Sequence, residues 1–227
     1  MALDSRDIKK NNLFLAIKGK KNDGNKFIPQ AIKKGASYVI SLKNNLKIKN
    51  KFILKNPIFF LNEFAKLKRE YCNAKILAIT GSTGKTTLKN MLYTLLQSYN
   101  NTYASPRSFN NHYGVPLSLS NLCEDHQFGI FEVGMSKSGE INRLSKIIKP
   151  NLAIITNIGE AHIENFNNTQ GIAKAKSEII NNIQNNGTLI LNRDDKFFDY
   201  LSNKAKSKNI KVVTFGKSKK SEINLIH

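Results

Sequence analysis

Tryptophan is absent from the 227 residues, and cysteine occurs only as Cys72 and Cys123. Two cysteines in no ligand spacing exclude a disulfide framework and a thiolate zinc site. No apolar run approaches the roughly eighteen residues a membrane-spanning helix needs. The richest runs, 58–61 and 152–156, are strand-sized. A secretory signal is not expected either, because Asp4, Ser5 and Arg6 precede any apolar segment. Only five prolines are present, and no Pro- or Ser-rich linker or internal repeat interrupts the chain. Hydrophobic residues still make up 40% of the sequence, enough for a core, so wholesale disorder is excluded. The expectation is a cytoplasmic protein without stable membrane insertion.

Acidic residues are also few: 16 Asp and Glu against 36 Lys and Arg, a net charge of +20. Such an excess invites a nucleic-acid reading. Yet only five of the cations are Arg, the usual reader of phosphates and guanine edges. The 31 Lys are joined by 30 Asn, more than a quarter of the chain together, which is a bias of composition rather than a patch. Residues 1–75 hold 18 cations and 5 anions, residues 76–227 hold 18 and 11, so no block concentrates the charge. The surface is read as solvated and basic, with no nucleic-acid partner. A nucleic-acid-stimulated ATPase is the opposing class, and it predicts salt-sensitive affinity.

Two textures divide the chain, which predicts domains at 1–73 and 74–227. The first has short apolar runs at 13–17, 38–42 and 52–54 and helical patterns at 29–35 and 62–71, and reads as a small α/β module. In the second, strand patterns at 76–80, 128–133, 152–158, 188–192 and 211–215 alternate with helical ones at 85–98, 140–148, 169–183 and 196–206. Strands separated by helices of ten to fifteen residues argue for βαβ units and a mainly parallel sheet flanked by helices. The fold class is therefore α/β, a small N-terminal module followed by a central domain. Residues 217–227 follow the last strand and close nothing, so the chain is expected to stop within its fold.

The sharpest motif is Thr80-Gly81-Ser82-Thr83-Gly84-Lys85-Thr86-Thr87, directly after a strand pattern and opening a helical one. A triphosphate needs backbone N–H groups pointing inward, which glycines allow, and the positive end of a helix. Lys85 is then placed on the β- and γ-phosphates of ATP, and the Thr86 hydroxyl on Mg²⁺. The usual loop has Gly six residues before the Lys; Ile79 stands there, so this form is shortened.

With that loop, further motifs make the sequence resemble the Mur ligases, and within them the branch that joins D-alanyl-D-alanine to UDP-N-acetylmuramoyl-tripeptide. They are Asp4-Ser5-Arg6, Leu13-Phe14-Leu15-Ala16-Ile17, Asp23-Gly24-x-x-Phe27-Ile28, Phe109-Asn110-Asn111-x-x-Gly114-Val115-Pro116-Leu117, Glu132-Val133-Gly134-Met135, Gly139-Glu140-Ile141, Thr156-Asn157-Ile158-Gly159-x-Ala161-His162, Ala175-Lys176-x-Glu178-Ile179 and Asn192-x-Asp194-Asp195. The neighbouring branch, which adds a single amino acid, is the alternative; it usually carries Ser where this chain has Gly134-Met135. Asn25 departs from the family, which commonly has His there. The family's chains also continue into a further domain, so the resemblance implies a monomeric fragment that binds nucleotide and precursor without completing turnover alone.

The resemblance implies an ATP-dependent ligase working through an acyl phosphate, with two Mg²⁺ ions. Thr86 and Glu132 would hold the first ion, both expected at the carboxyl ends of strands. His162 and Lys176, the latter carbamylated by CO₂, would hold the second; an ammonium would be repelled there, whereas a carbamate is an oxygen ligand. Without the resemblance, His162 reads as a surface or capping residue and Lys176 as a surface lysine on an amphipathic helix. Asn157 would orient the γ-phosphate or a metal-bound water. Asn192, Asp194 and Asp195 would meet adenine and ribose, or form an Asx turn and helix cap. Asn110 and Asn111 would bond the muramoyl peptide. Ser5 and Arg6, with Asp23 and Gly24, would recognise the uridine diphosphate end, with a surface ion pair as the other reading of Arg6.

Overall fold

The computed structural model describes residues 1–19, 22–42 and 50–224, and the chain divides into two compact units, Met1–Leu67 and Lys68–His227. The first unit carries a parallel sheet ordered β1 (Asn12–Leu15), β2 (Ala36–Ser41), β3 (Lys51–Ile53). Helix α1 (Ile28–Lys33) connects β1 to β2 and covers one face, where Phe14, Ala16, Ile28, Ala31 and Val39 form the core. Helix α2 (Pro57–Tyr71) begins earlier than the pattern at 62–71 predicts, and the apolar run 58–61 lies inside it. Proline is favoured at a first helical position, and Leu61 and Ala65, one turn apart, are both buried.

The second unit is a seven-stranded sheet whose ladders are all parallel. Its strands are β4 (Lys75–Thr80), β5 (Thr102–Ala104), β6 (Phe128–Glu132), β7 (Leu152–Ile155), β8 (Thr188–Asn192), β9 (Lys211–Gly216) and β10 (Ile223–Asn224). The spatial order is β10-β9-β8-β7-β4-β6-β5. Between them run α3 (Lys85–Gln97), α4 (Gly114–Ser120), α5 (Glu140–Ile148), α6 (Thr169–Lys176) and α7 (Phe198–Lys206). Strand β4 is buried from Ile76 to Thr80, which explains its unbroken apolar run.

Three elements, β5, α4 and β10, have no counterpart in the sequence pattern. Strand β5 is three residues long, and every residue of α4 is buried, so that helix shows no polar face to set a period. The helix predicted over 169–183 ends at Lys176 and continues as a 3₁₀ segment, Ser177–Asn182. There the Ser177 hydroxyl donates to Lys174 O at 2.6 Å, a local bond that competes with helical geometry. The tail after β9 contributes β10; residues 225–227 lie outside the described residues. Among the described residues no helix is long and apolar enough to cross a membrane.

Strand order reverses at β4, whose neighbours are β6 and β7. In open parallel sheets that reversal leaves a crevice beyond the carboxyl ends of the strands. The register pairs Ile79 with Glu132 on one side and Ile154 on the other, so Thr80, Glu132 and the segment after β7 reach the same edge.

Candidate active site

The loop between β4 and α3 is shaped by its glycines. Gly81 has φ +150°, and a Cβ there would stand 1.8 Å from Thr156 Oγ1. Gly84 caps α3 in the left-handed region at φ +79°. The segment after β7 fastens the loop from the other side. Thr156 Oγ1 donates to Thr83 O at 2.6 Å. Asn157 accepts from Thr83 N at 3.0 Å through Oδ1 and donates to Thr83 Oγ1 at 2.8 Å through Nδ2. Ser82 Oγ accepts from Gly159 N at 2.8 Å and donates to Gly159 O at 3.0 Å. Asn157 therefore holds the loop in place. Thr87 is exposed on the first turn of α3, whose leading N–H groups have no intrahelical acceptors.

Two lysines converge inside the loop. Lys85 Nζ donates to Gly81 O at 2.8 Å and Ser82 O at 3.3 Å, and Lys176 Nζ donates to Gly81 O at 3.0 Å. Lys176 is only 2% exposed, whereas Lys174, two residues earlier, faces solvent. Burial first, and then the positive charge of Lys85, bring the Lys176 ammonium down to about 7. Burial also lowers Lys85, with Glu132 opposing the shift. No carboxylate bonds to either ammonium among the described residues.

Glu132, at the end of β6, is buried and accepts from two side chains: Thr86 Oγ1 at 2.7 Å and Asn110 Nδ2 at 2.7 Å. Thr86 sits on the first turn of α3 rather than at a strand end. A hydroxyl and a carboxylate in contact beside the glycine loop are hard oxygen donors, the set that fits Mg²⁺. Lys176 as an ammonium does not fit a second cation; as a carbamate it would. His162 is exposed at φ +68°, its Nδ1 3.9 Å from Glu164 Oε1.

An open cleft of about 350 Å³ gathers Lys85, Lys176, His162, Asn110 and Asn111, together with Glu140 and Arg143 of α5. Asn111 Oδ1 caps α4 by accepting from Tyr113 N at 3.0 Å and Gly114 N at 2.9 Å. A Cβ on Gly114 would lie 2.6 Å from Phe109 Cα, so the spacing Phe-Asn-Asn-x-x-Gly is that of one tight turn.

The other expected residues are engaged locally. Asp195 accepts from Ile158 N at 2.7 Å and Phe197 N at 2.9 Å, and Asp194 from Lys217 N at 2.6 Å and Ser218 N at 3.1 Å. Asn192 accepts from Asp194 N at 2.9 Å. None of the three lines the cleft. In the first unit Ser5 Oγ donates to Gln30 Oε1 at 2.7 Å, and Arg6 forms a two-pronged pair with Asp4 at 2.7 and 3.0 Å, its side chain 77% exposed. Asp23 accepts from Asn25 N at 3.0 Å, and Asn25 in turn accepts from Ser41 Oγ at 2.6 Å. Gly24 is required there, since a Cβ would stand 2.7 Å from Ile17 O.

Two contributors, Lys89 and Arg143, escaped the sequence reading, and Glu178 was named there without a role. Lys89 is buried and donates to Ser105 O at 2.8 Å and to Arg107 O, while Ser105 Oγ accepts from Glu132 N at 3.3 Å. Nothing marks it among 31 lysines. Glu178 caps α5 by accepting from Gly139 N at 2.7 Å and Asn142 N at 3.0 Å. Arg143 reaches the cleft from a helix face that periodicity alone reads as solvated.

Comparison with known proteins adds a second line. The Mur ligase middle domain matches residues 79–226, and the Mur ligase family catalytic domain matches residues 1–68. The UDP-N-acetylmuramoyl-tripeptide–D-alanyl-D-alanine ligase of Rickettsia prowazekii (strain Madrid E) is 41% identical over 226 residues, covering 98% of this chain and 50% of that protein. The structure of UDP-N-acetylmuramoylalanyl-D-glutamyl-2,6-diaminopimelate–D-alanyl-D-alanyl ligase from Acinetobacter baumannii aligns with a TM-score of 0.81 at 34% identity, over 95% of this chain and 47% of its own. MurF ligase from Thermotoga maritima in complex with ADP aligns at 0.79 and 30%, over 96% and 50%. The chain thus spans about half the length of the relatives it matches.

Proposed function

This chain belongs to the Mur ligase family, and from that premise we propose that it binds ATP and UDP-N-acetylmuramoyl-tripeptide for a ligation in which D-alanyl-D-alanine is the incoming amine. The observation that carries this reading is the meeting of Lys85, Lys176 and the Thr86–Glu132 pair beyond the strand ends at the β4 switch point.

In this reading a terminal oxygen of the tripeptide carboxylate attacks the γ-phosphorus of ATP, and the bond from that phosphorus to the β–γ bridging oxygen breaks. The products are ADP and an acyl phosphate. The dipeptide amine then attacks the acyl carbon, gives up a proton, and phosphate leaves. Two anions must approach each other, so the protein's part is to neutralise and to orient. Lys85 exchanges its bond to Gly81 O for the β- and γ-phosphates, and the first turn of α3 offers its N–H groups. Asn157, Ser82 and Thr156 keep the loop fixed. Thr86 and Glu132 would hold one Mg²⁺ and a carbamylated Lys176 with His162 a second; the metal supplies charge neutralisation between nucleotide and carboxylate.

Lys176 suits carbamylation because, brought down to about 7, its amine is partly neutral at physiological pH. The neutral nitrogen attacks CO₂, an N–C bond forms, and a proton passes to solvent. Asn110 and Asn111 would face the peptide, and Ser5, Arg6, Asp23 and Gly24 the uridine diphosphate end. Asn192, Asp194 and Asp195 would reach the adenosine through a turn they already stabilise. The setting is the cytoplasm, where ATP and CO₂ are available, and the protein works as a monomer without nucleic acid.

The test is titration of the chain with Mg²⁺ and a non-hydrolysable ATP analogue. Wild type should bind, and Lys85→Ala should weaken binding by about tenfold or more, the loss of one charge-assisted contact. Equal affinity in the two proteins removes the phosphate-loop assignment. Carbon-13 bicarbonate should add a carbamate resonance that Lys176→Ala lacks; its absence from wild type removes the modification.

A further inference from the structure

Helix α5 brings Glu140 and Arg143, neighbours at i and i+3, to the same cleft that holds Lys85 and Lys176. Neither is needed for the nucleotide chemistry. Glu140 Oε2 is fixed by Ser136 N at 2.6 Å and Lys137 N at 3.1 Å, whereas its Oε1 makes no hydrogen bond among the described residues. The Arg143 guanidinium likewise forms no ion pair or hydrogen bond among them. One anion and one cation therefore face the cleft side by side with free valences, and Met135 and Leu144 supply apolar surface beside them.

We propose that Glu140 and Arg143 read the far end of the tripeptide's third residue, binding an amino group and a carboxylate there, so that the site selects a diaminodicarboxylic acid over a diamino acid with a bare terminal amine. The inference rests on the tripeptide reading above. The Acinetobacter baumannii relative is named for a tripeptide ending in 2,6-diaminopimelate, whose far end is such a zwitterion.

The physical case is charge matching. A single carboxylate from elsewhere in the peptide would pair with Arg143 but be repelled by Glu140. A bare amine would satisfy Glu140 but leave the guanidinium paired with solvent alone, gaining nothing from it in this open cleft. A zwitterion satisfies both, and its methylenes lie on Met135 and Leu144. The carboxyl of Glu140 stays ionised for this task. Burial pushes it up, but the N–H groups of Ser136 and Lys137, then Arg143 and His112, outweigh burial and hold it below its ordinary value.

The experiment measures affinity of the full chain for two UDP-N-acetylmuramoyl-tripeptides, one ending in meso-diaminopimelate and one in L-lysine. Wild type should prefer the first by about tenfold or more, as for loss of a charge-assisted bidentate contact. Arg143→Gln should remove the preference by weakening only the diaminopimelate form, Arg143→Lys should restore part of it, and ATP-analogue binding should stay unchanged. Equal wild-type affinities, or an Arg143→Gln loss common to both ligands, overturn this inference and leave the ligase reading standing. If neither tripeptide binds while the nucleotide does, the tripeptide reading fails and this inference with it.

Discussion

Lys85 and Lys176 direct their ammonium groups at one acceptor, the carbonyl oxygen of Gly81, from distances of 2.8 and 3.0 Å. Two like charges that share one acceptor repel, and the carbonyl neutralises neither. Two ammonium groups without a carboxylate partner among the described residues suit an anion, and in the proposed function these are the phosphate oxygens for Lys85 and a carbamate carboxyl on Lys176.

Lys176 makes stability depend on pH in a defined direction. Its folded-state value of about 7 lies below its ordinary 10.5, so the unfolded chain binds the extra proton between those two values. The cost of burying the ammonium is full below pH 7, shrinks as pH rises, and is gone above about 10.5. Lys176→Met should therefore be more stable than wild type, by of the order of a few kcal/mol, at pH 6 in CO₂-free buffer. Urea melts from pH 6 to pH 10 should show the two proteins converging; a gap constant with pH would refute the buried ammonium.

Gly81→Ala should destabilise the chain by at least about 2 kcal/mol, from both the positive φ and the collision with Thr156 Oγ1. Thr156→Ala should cost about 1 kcal/mol, one hydrogen bond to Thr83 O. The double variant should be less destabilised than the sum, by about 1 kcal/mol, because the colliding oxygen is gone while the strained backbone remains. Strict additivity in thermal melts would exclude the collision as the reason for glycine.

Replacing Lys89 with Met leaves the carbonyls of Ser105 and Arg107 without their donor. The expected loss is about 1–3 kcal/mol, partly offset because no charge is then buried. Since Ser105 Oγ also accepts from Glu132 N, magnesium-dependent affinity for the ATP analogue should fall with it. Unchanged stability and affinity would show the loop from Ser105 to Arg107 to be held by other contacts.

Glu178→Ala should cost about 1–2 kcal/mol by uncapping α5, and Glu178→Gln less, as the amide keeps one acceptor. Hydrogen exchange should localise the change to the amides of Gly139 and Asn142. Loss of protection spread evenly over the second unit would contradict a capping role.

The sequence by itself determined the glycine loop between β4 and α3 and the parallel sheet. Each is a local matter: glycines at fixed offsets between a buried strand and a helix, and apolar runs whose period names the element. Glu140–Ile148 and Thr188–Asn192 match their patterns residue for residue. What local signals do not carry was left to the tertiary structure. A wholly buried helix such as α4 has no polar face to betray it, and one lysine among 31 announces nothing until the fold encloses it. The union of Lys176 with Gly81, of Glu132 with Thr86 and Asn110, and of the cleft with Arg143 follows from strand order. Order is set by packing between distant segments, which no window of sequence contains.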